Sequence, residues 1–125
     1  MEVALQIPEG SQIIEKYGEG RFQISGQYHD GSVFVMPEKT RSWQVSDFDK
    51  LTEESFDSFI ELAGEIEVLL VGCGTKVEFL SPAFRQKIRD KGLVIEAMAT
   101  GAACRTYNVL MSEGRKVAAA LIAIP

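Results

Sequence analysis

The residues best suited to chemistry in this chain are Gly72, Cys73, Gly74 and Thr75, which follow directly on the apolar run Glu67-Val68-Leu69-Leu70-Val71. A strand buried on both faces that ends in a glycine turn is where an α/β sheet brings ligands close to its backbone. Cys73 lies inside that turn. Its thiolate would be a nucleophile if a cation or a helix N-terminus lay beside it, and Lys76 is the only nearby cation. The plainer reading of the position, and the favoured one, is a small buried hydrophobe. The Gly-x-Gly pair opens like a dinucleotide fingerprint, but the third glycine is replaced by Val77 and no acidic residue ends the next strand, Glu96 lying inside it. No Gly-Lys-Ser/Thr follows, so a P-loop is also absent. Thr100 marks a helix start whose free N–H groups can hold an anion. A pocket between the Gly72–Thr75 loop and this helix start would use Thr75, Thr100 and Arg105 as contacts and Cys73 as nucleophile, with Met98, Tyr107 and Asn108 nearby.

Other polar residues carry weaker signals. Cys104 shares a helical stripe with Ala103, Tyr107 and Met111 and reads as core. Asn108 falls one residue off that stripe, so if buried it must bond to backbone. His29 adjoins an Asp-Gly turn, where an exposed histidine is unremarkable. Trp43 can pack over neighbouring strands or stand out as an anchor for a partner. Glu113 and Arg115 flank Gly114 and can pair with each other or frame an anionic site. No Ser/His/Asp set or close carboxylate pair is present, so no catalytic residue, cofactor or metal ligand is assigned. The two cysteines and one histidine cannot complete a zinc site.

The elements that position these residues follow from periodicity. Arg21–Tyr28 alternates with period two, His29-Asp30-Gly31 supplies turn chemistry, and Ser32–Met36 returns until Pro37. Lys39–Val45 is a third extended piece, making the first third a β-meander; Met1–Ile7 reads as a further edge strand or ordered arm. Thr52 followed by Glu53 and Glu54 starts a helix that carries Phe56, Phe59, Ile60 and Ala63 inward and stops at Gly64. Strand 67–71 follows. Ser81 caps a helix with Pro82 at its first position and Gly92 at its end. Strand 93–97, a helix capped by Thr100 and stopped by Gly114, and strand 117–124 complete an α/β pattern. Strands 67–71 and 93–97, joined by helix 82–91, are expected to be parallel.

The 125 residues suffice for one domain, with 46% apolar and 25% charged residues marking an ordinary globule. A net charge of −5 disfavours general binding to nucleic acid. Arg85, Lys87, Arg89 and Lys91 form the one dense basic stretch, which reads as a solvated helix face. The longest apolar run, 117–125, is about half of the ~20 residues a membrane helix requires. With no leader-like N-terminus, the chain is expected to be cytoplasmic and not membrane-spanning.

One further pattern spans most of the chain. Phe22-x-Ile24, Gly31-Ser32-Val33, Pro37, Trp43, Leu69–Thr75 and above all Met98-x-Thr100-x-x-Ala103-x-x-Thr106-Tyr107-Asn108-x-Leu110-x-x-Glu113-x-Arg115 resemble the Mth-type domain family over about residues 13–124. Cys73 departs from the small residue that family's glycine loop would hold. The resemblance implies one three-layer β+α/β/α domain over 1–125, with a central mixed sheet whose last strand runs antiparallel to the others. It implies no established reaction. A mitochondrial member of the family assists assembly of respiratory complex I, so the expected function is a non-enzymatic protein-binding or assembly factor, with protein partners and a homodimer through an edge strand of the meander as a further option. Trp43, Glu113 and Arg115 are the candidate partner contacts. The alternative is a binder of, or enzyme for, a small anionic ligand at the Gly72–Thr75 loop.

Overall fold

The computed structural model describes residues 7–125. Its strands divide between two sheets. The smaller is an antiparallel ribbon of β1 (Ile14–Gly18), β2 (Arg21–Ile24) and β3 (Gln27–Asp30). Both of its turns have two residues, Glu19-Gly20 and Ser25-Gly26, and all four take positive φ. That is the hairpin geometry whose twist matches the flanking strands. The alternation over 21–28 is therefore cut at Ser25, and Glu15 fixes the turn by accepting the Gly26 N–H at 2.6 Å. The Asp30-Gly31 pair, expected to close a hairpin, instead carries the chain from the first sheet to the second. The arm or strand expected over Met1–Ile7 lies, apart from Ile7, outside the described residues.

The larger sheet contains β4 (Val33–Met36), β5 (Lys39–Ser42), β6 (Val68–Gly72), β7 (Ile95–Met98) and β8 (Val117–Leu121), in the order β5-β4-β8-β6-β7. As the spacing predicts, β6 and β7 are parallel. The last strand does not run antiparallel to the others. It is parallel to β6 and antiparallel only to β4. The reason is the preceding helix, α3 (Thr100–Ser112), which returns the chain along the sheet before β8 begins. The reversed member is β4. The strand expected over 117–124 stops at Leu121, and the piece expected over Lys39–Val45 stops at Ser42.

The single helix expected over 52–64 is a chain of short pieces. A 3₁₀ turn over Glu53–Phe56 leads into α1 (Asp57–Ile60), and a second 3₁₀ turn over Ala63–Glu65 contains Gly64 rather than ending at it. Tight turns of this kind eclipse residues three apart. Phe56, Phe59 and Leu62 accordingly point one way, and all are buried. The next helix, α2 (Pro82–Asp90), follows the expectation: Ser81 Oγ accepts the Phe84 N–H at 3.1 Å, and Gly92 turns away at φ 99°.

Two apolar layers hold the large sheet. On one face Phe34, Leu69, Val71 and Ala120 meet Phe56, Phe59 and Ile88 from the helical pieces. Phe34 stacks on Phe59 with ring centroids 4.0 Å apart. On the other face Val35, Leu70, Ala119 and Leu121 meet Ala103, Tyr107 and Met111 of α3, together with Phe22 and Ile24 of the small sheet. Helices, large sheet, and α3 with the small sheet make the three layers that the resemblance implies.

Candidate functional site

The end of β6 is shaped by how closely α3 approaches it. A Cβ on Gly72 would lie 2.9 Å from Leu121 Cδ2 and 3.1 Å from Thr100 Cα, so only glycine fits there without movement. Gly74 turns at φ 114°. Thr100 is fully buried. Its hydroxyl donates to the Ile122 carbonyl at 2.8 Å and accepts the Gly74 N–H at 3.0 Å. Its own N–H donates to the Gly74 carbonyl at 2.8 Å. Thr100 is thus the first residue of α3 and not its cap, the cap position falling to Ala99. Its hydroxyl is spent on the glycine loop and the residue after β8. The Cys73 N–H donates to Met98 at 2.8 Å and the Ile122 N–H to Gly72 at 3.0 Å, completing the junction. Gly72, Gly74, Met98 and Thr100 do converge, but they bind one another, and the Gly74 carbonyl takes the first N–H of the helix, that of Thr100.

The remaining pocket candidates separate. Tyr107 is buried in the layer beneath α3 and donates to the Gln12 carbonyl at 2.8 Å. Burial pushes its phenol well above the usual range, with Glu38 adding in the same direction. Asn108 accepts the Ile14 N–H at 3.0 Å and donates to the Ile14 carbonyl at 2.8 Å, the backbone pairing its position predicts. Arg105 donates to the Tyr17 hydroxyl at 3.2 Å on the exposed side. These three residues fasten the small sheet and do not face the glycine loop.

The two cysteines lie on opposite faces of the large sheet, Cys73 in one apolar layer and Cys104 in the other, and both are free. No disulfide can join them across the sheet. Cys73 is buried, and its thiol makes a long contact, 3.6 Å, to the Val71 carbonyl. Burial raises its pKa against the pull of two backbone N–H groups. Burial pushes Cys104 to about 12. Both are protonated thiols near neutral pH, the opposite of an activated nucleophile.

Thr75 is exposed and lines a cleft of about 360 Å³ with Cys73 and Lys76. Asp47 and Asp49 form the facing wall, and Glu78 adds a third carboxylate. No local sequence pattern signals this meeting, because Asp47 and Asp49 belong to a capped 3₁₀ turn, Phe48–Lys50, that only the tertiary fold places here. The carbonyls of Gln12 and Ile122, which satisfy Tyr107 and Thr100, are likewise silent in the sequence.

Of the partner candidates, Trp43 is not an exposed anchor. It is 6% exposed, packs against Phe56 and Phe59, and donates its indole N–H to the Ser55 carbonyl at 2.8 Å. Arg115 pairs with Glu67, just before β6, instead of with Glu113. That pairing lowers the Glu67 carboxyl below its ordinary range and raises Arg115. Glu113 is exposed. His29 sits in β3 opposite Phe22 rather than in a turn. Among the described residues, no helix is long and apolar enough to cross a membrane, and no group of three His, Cys, Asp or Glu could hold a metal.

Comparison with known proteins supplies what the site does not. The family model described as "Protein of unknown function (DUF498/DUF598)" matches residues 14–122. The chain is 38% identical over 112 residues to the mouse protein named NADH dehydrogenase (ubiquinone) 1 alpha subcomplex assembly factor 3, covering 90% of this chain and 60% of that protein. It therefore spans about 60% of the length of that relative. An uncharacterized protein of Rhodobacter capsulatus is 36% identical over 116 residues, 93% of this chain and 88% of its own. A solved structure described as an outer membrane protein from Bartonella henselae superimposes with a TM-score of 0.83 at 34% identity, covering 93% of this chain and 98% of that one. A Bordetella pertussis protein described as a Mth938-like domain gives a TM-score of 0.81 at 27% identity, covering 98% and 92% of the two chains.

Proposed function

Because the chain belongs to the DUF498/DUF598 family of Mth938-like domains, we propose that it works as a non-enzymatic, protein-binding assembly factor in the biogenesis of a respiratory complex. The observation that carries this reading is the 38% identity to a named complex I assembly factor over 90% of the chain. The chemistry of the site is in keeping with it. The two thiols are buried and held protonated, and the glycine loop is bonded to Thr100, taking both its hydroxyl and its N–H. A small anionic ligand at the loop is the less favoured reading, since Asp47, Asp49 and Glu78 face the adjoining cleft against Lys76 alone and their field repels anions. Free thiols suit a reducing compartment, so the cytoplasm is the proposed place of action.

The test is genetic and biochemical together. In a strain lacking the gene, native gels of the membrane fraction should show less assembled complex I and more partial subcomplexes. The tagged chain should copurify subunits of those subcomplexes. Full complex I levels in the deletion strain, with no reproducible partner, would overturn the reading.

A further inference from the structure

The large sheet ends on β7, and that edge lies open. The Val94 and Met98 carbonyls accept N–H groups from the β6 side, from Leu69 at 2.8 Å and Cys73 at 2.8 Å. In a parallel pair the intervening residues turn their N–H and C=O groups the other way. Ile95 and Ala97 therefore present theirs outward, and no strand pairs with them among the described residues. Natural sheet edges are usually blunted by charge, proline or a covering segment. Here the one charge on the strand, Glu96, is drawn to Arg85 of α2 at 3.5 Å.

Beside this edge runs a groove of about 370 Å³ between β7 and α2. Leu80 and Ile95 line its apolar part, while Phe79, Arg85, Arg89 and Val94 border it. Phe79 is 82% exposed and Val94 is 40% exposed, which is unusual for side chains of this kind beside an open strand. Arg85 is already paired with Glu96, so the sign of the groove is set by Arg89. The other two basic residues of this stretch are engaged, Lys87 with Glu53 and Lys91 with Glu53 and Asp57. Arg89 is exposed and has no carboxylate within ion-pair distance among the described residues. A chain of net charge −5 thus carries one uncompensated cation, Arg89, beside its apolar sheet edge.

We propose that the β7 edge binds an extended, acidic segment of a partner protein by strand addition. Main-chain bonds would form to Ile95 and Ala97, an apolar side chain would enter the groove beside Phe79, and a carboxylate would meet Arg89. This is the general mode in which main-chain pairing supplies affinity and alternate side chains supply specificity. A second copy of the chain fits the edge less well. Antiparallel pairing of two β7 strands would set the two α2 helices side by side on one face, with their arginines opposed. The proposal rests on the assembly-factor reading for its biological setting, and its physical test does not.

The experiment selects binders from a random phage-displayed peptide library against the full chain. Selected peptides should be rich in Asp, Glu and apolar residues. Made synthetically, they should shift the backbone resonances of residues 94–98 and slow hydrogen exchange at Ile95 and Ala97. Arg89→Glu should weaken binding by about tenfold or more. Ala97→Pro, which removes an outward N–H without taking a bond from β6, should do the same. Unchanged thermal melts and dispersed spectra would show that both variants fold. Peptides that bind these variants as tightly as the parent, binders that map elsewhere, or a library that yields none would each overturn the proposal. A dimer detected by sedimentation and abolished by the same variants would overturn it in favour of a second copy. The two readings fail separately. Selected peptides that ignore both edge variants, with complex I still lost in the deletion strain, sink the edge and leave the assembly role. A mapped peptide site in a protein dispensable for complex I keeps the edge and sinks the role.

Discussion

At the scale of the residue, Thr100 does several jobs at one junction. Its hydroxyl donates to Ile122 and accepts from Gly74, so two backbone groups of different segments meet on one oxygen. The N–H of the same residue returns to Gly74. The sequence marks Thr100 as a helix start, which is correct within one residue, but assigns its hydroxyl to the helix. The competing acceptor and donor come from residues 22 and 26 positions away, which no local pattern records. Thr100→Val keeps the volume and leaves the Gly74 N–H and the Ile122 carbonyl without this partner. It should cost about 1–3 kcal/mol, the usual penalty for stranding a buried polar group. Thr100→Ser should retain most of the stability. Urea unfolding of the three proteins checks this, and a valine variant as stable as the parent would contradict it.

At the scale of the element, α3 is a spacer with two working sides. One side packs Ala103, Tyr107 and Met111 toward the large sheet. The other holds the small sheet through side chains that imitate a strand. Asn108 pairs with both polar groups of Ile14 as a neighbouring backbone would. That role explains why an amide sits one place off the apolar stripe, and the sequence states its need for backbone partners without naming them. Replacing it with alanine removes two bonds to β1 while leaving the large sheet untouched. Asn108→Ala should therefore speed hydrogen exchange at the Ile14 amide and its β1 neighbours while amides of β6 and β8 stay protected. Uniform acceleration through both sheets would show instead that the small sheet and the core open as one unit. The broken helical stretch before β6 teaches the complementary lesson. Its apolar spacing is compatible with a helix, but buried residues at 56, 59 and 62 are satisfied by tighter turns.

At the scale of the whole molecule, the two apolar layers bury ionisable groups whose neutral forms the fold requires. Cys104 titrates ordinarily near 9.0 and is pushed to about 12 by burial. Cys73 and Tyr107 are displaced in the same direction, burial being the main cause. Between the ordinary thiol value and the raised one, the unfolded chain binds fewer protons than the native protein. Stability must then fall as pH rises through that window, while the contribution is whole below it. Urea midpoints at about pH 8 and about pH 10.5 should show this decline, and Cys104→Ala should make it shallower. An identical slope in the variant would mean that Cys104 does not carry its share.

Much of this protein is decided locally. Branched runs ending in glycine, Ser81-Pro82 before a helix and Gly92 after it are chemical statements about single segments, and they place β6, β7 and α2 correctly because the forces involved act over a few residues. The long pattern from Met98 to Arg115 likewise points to the family. What the chain order leaves open is pairing between distant segments. Only the tertiary structure sends β8 between β4 and β6 and parallel to the latter, splits the first strands into two sheets, and places the cysteines on opposite faces of the large one. The same packing turns a glycine loop that looked open to a ligand into a joint closed by Thr100, and leaves the outer edge of β7 without a paired strand among the described residues. Those outcomes depend on which surfaces cover one another, and that is a property of the whole fold rather than of any stretch within it.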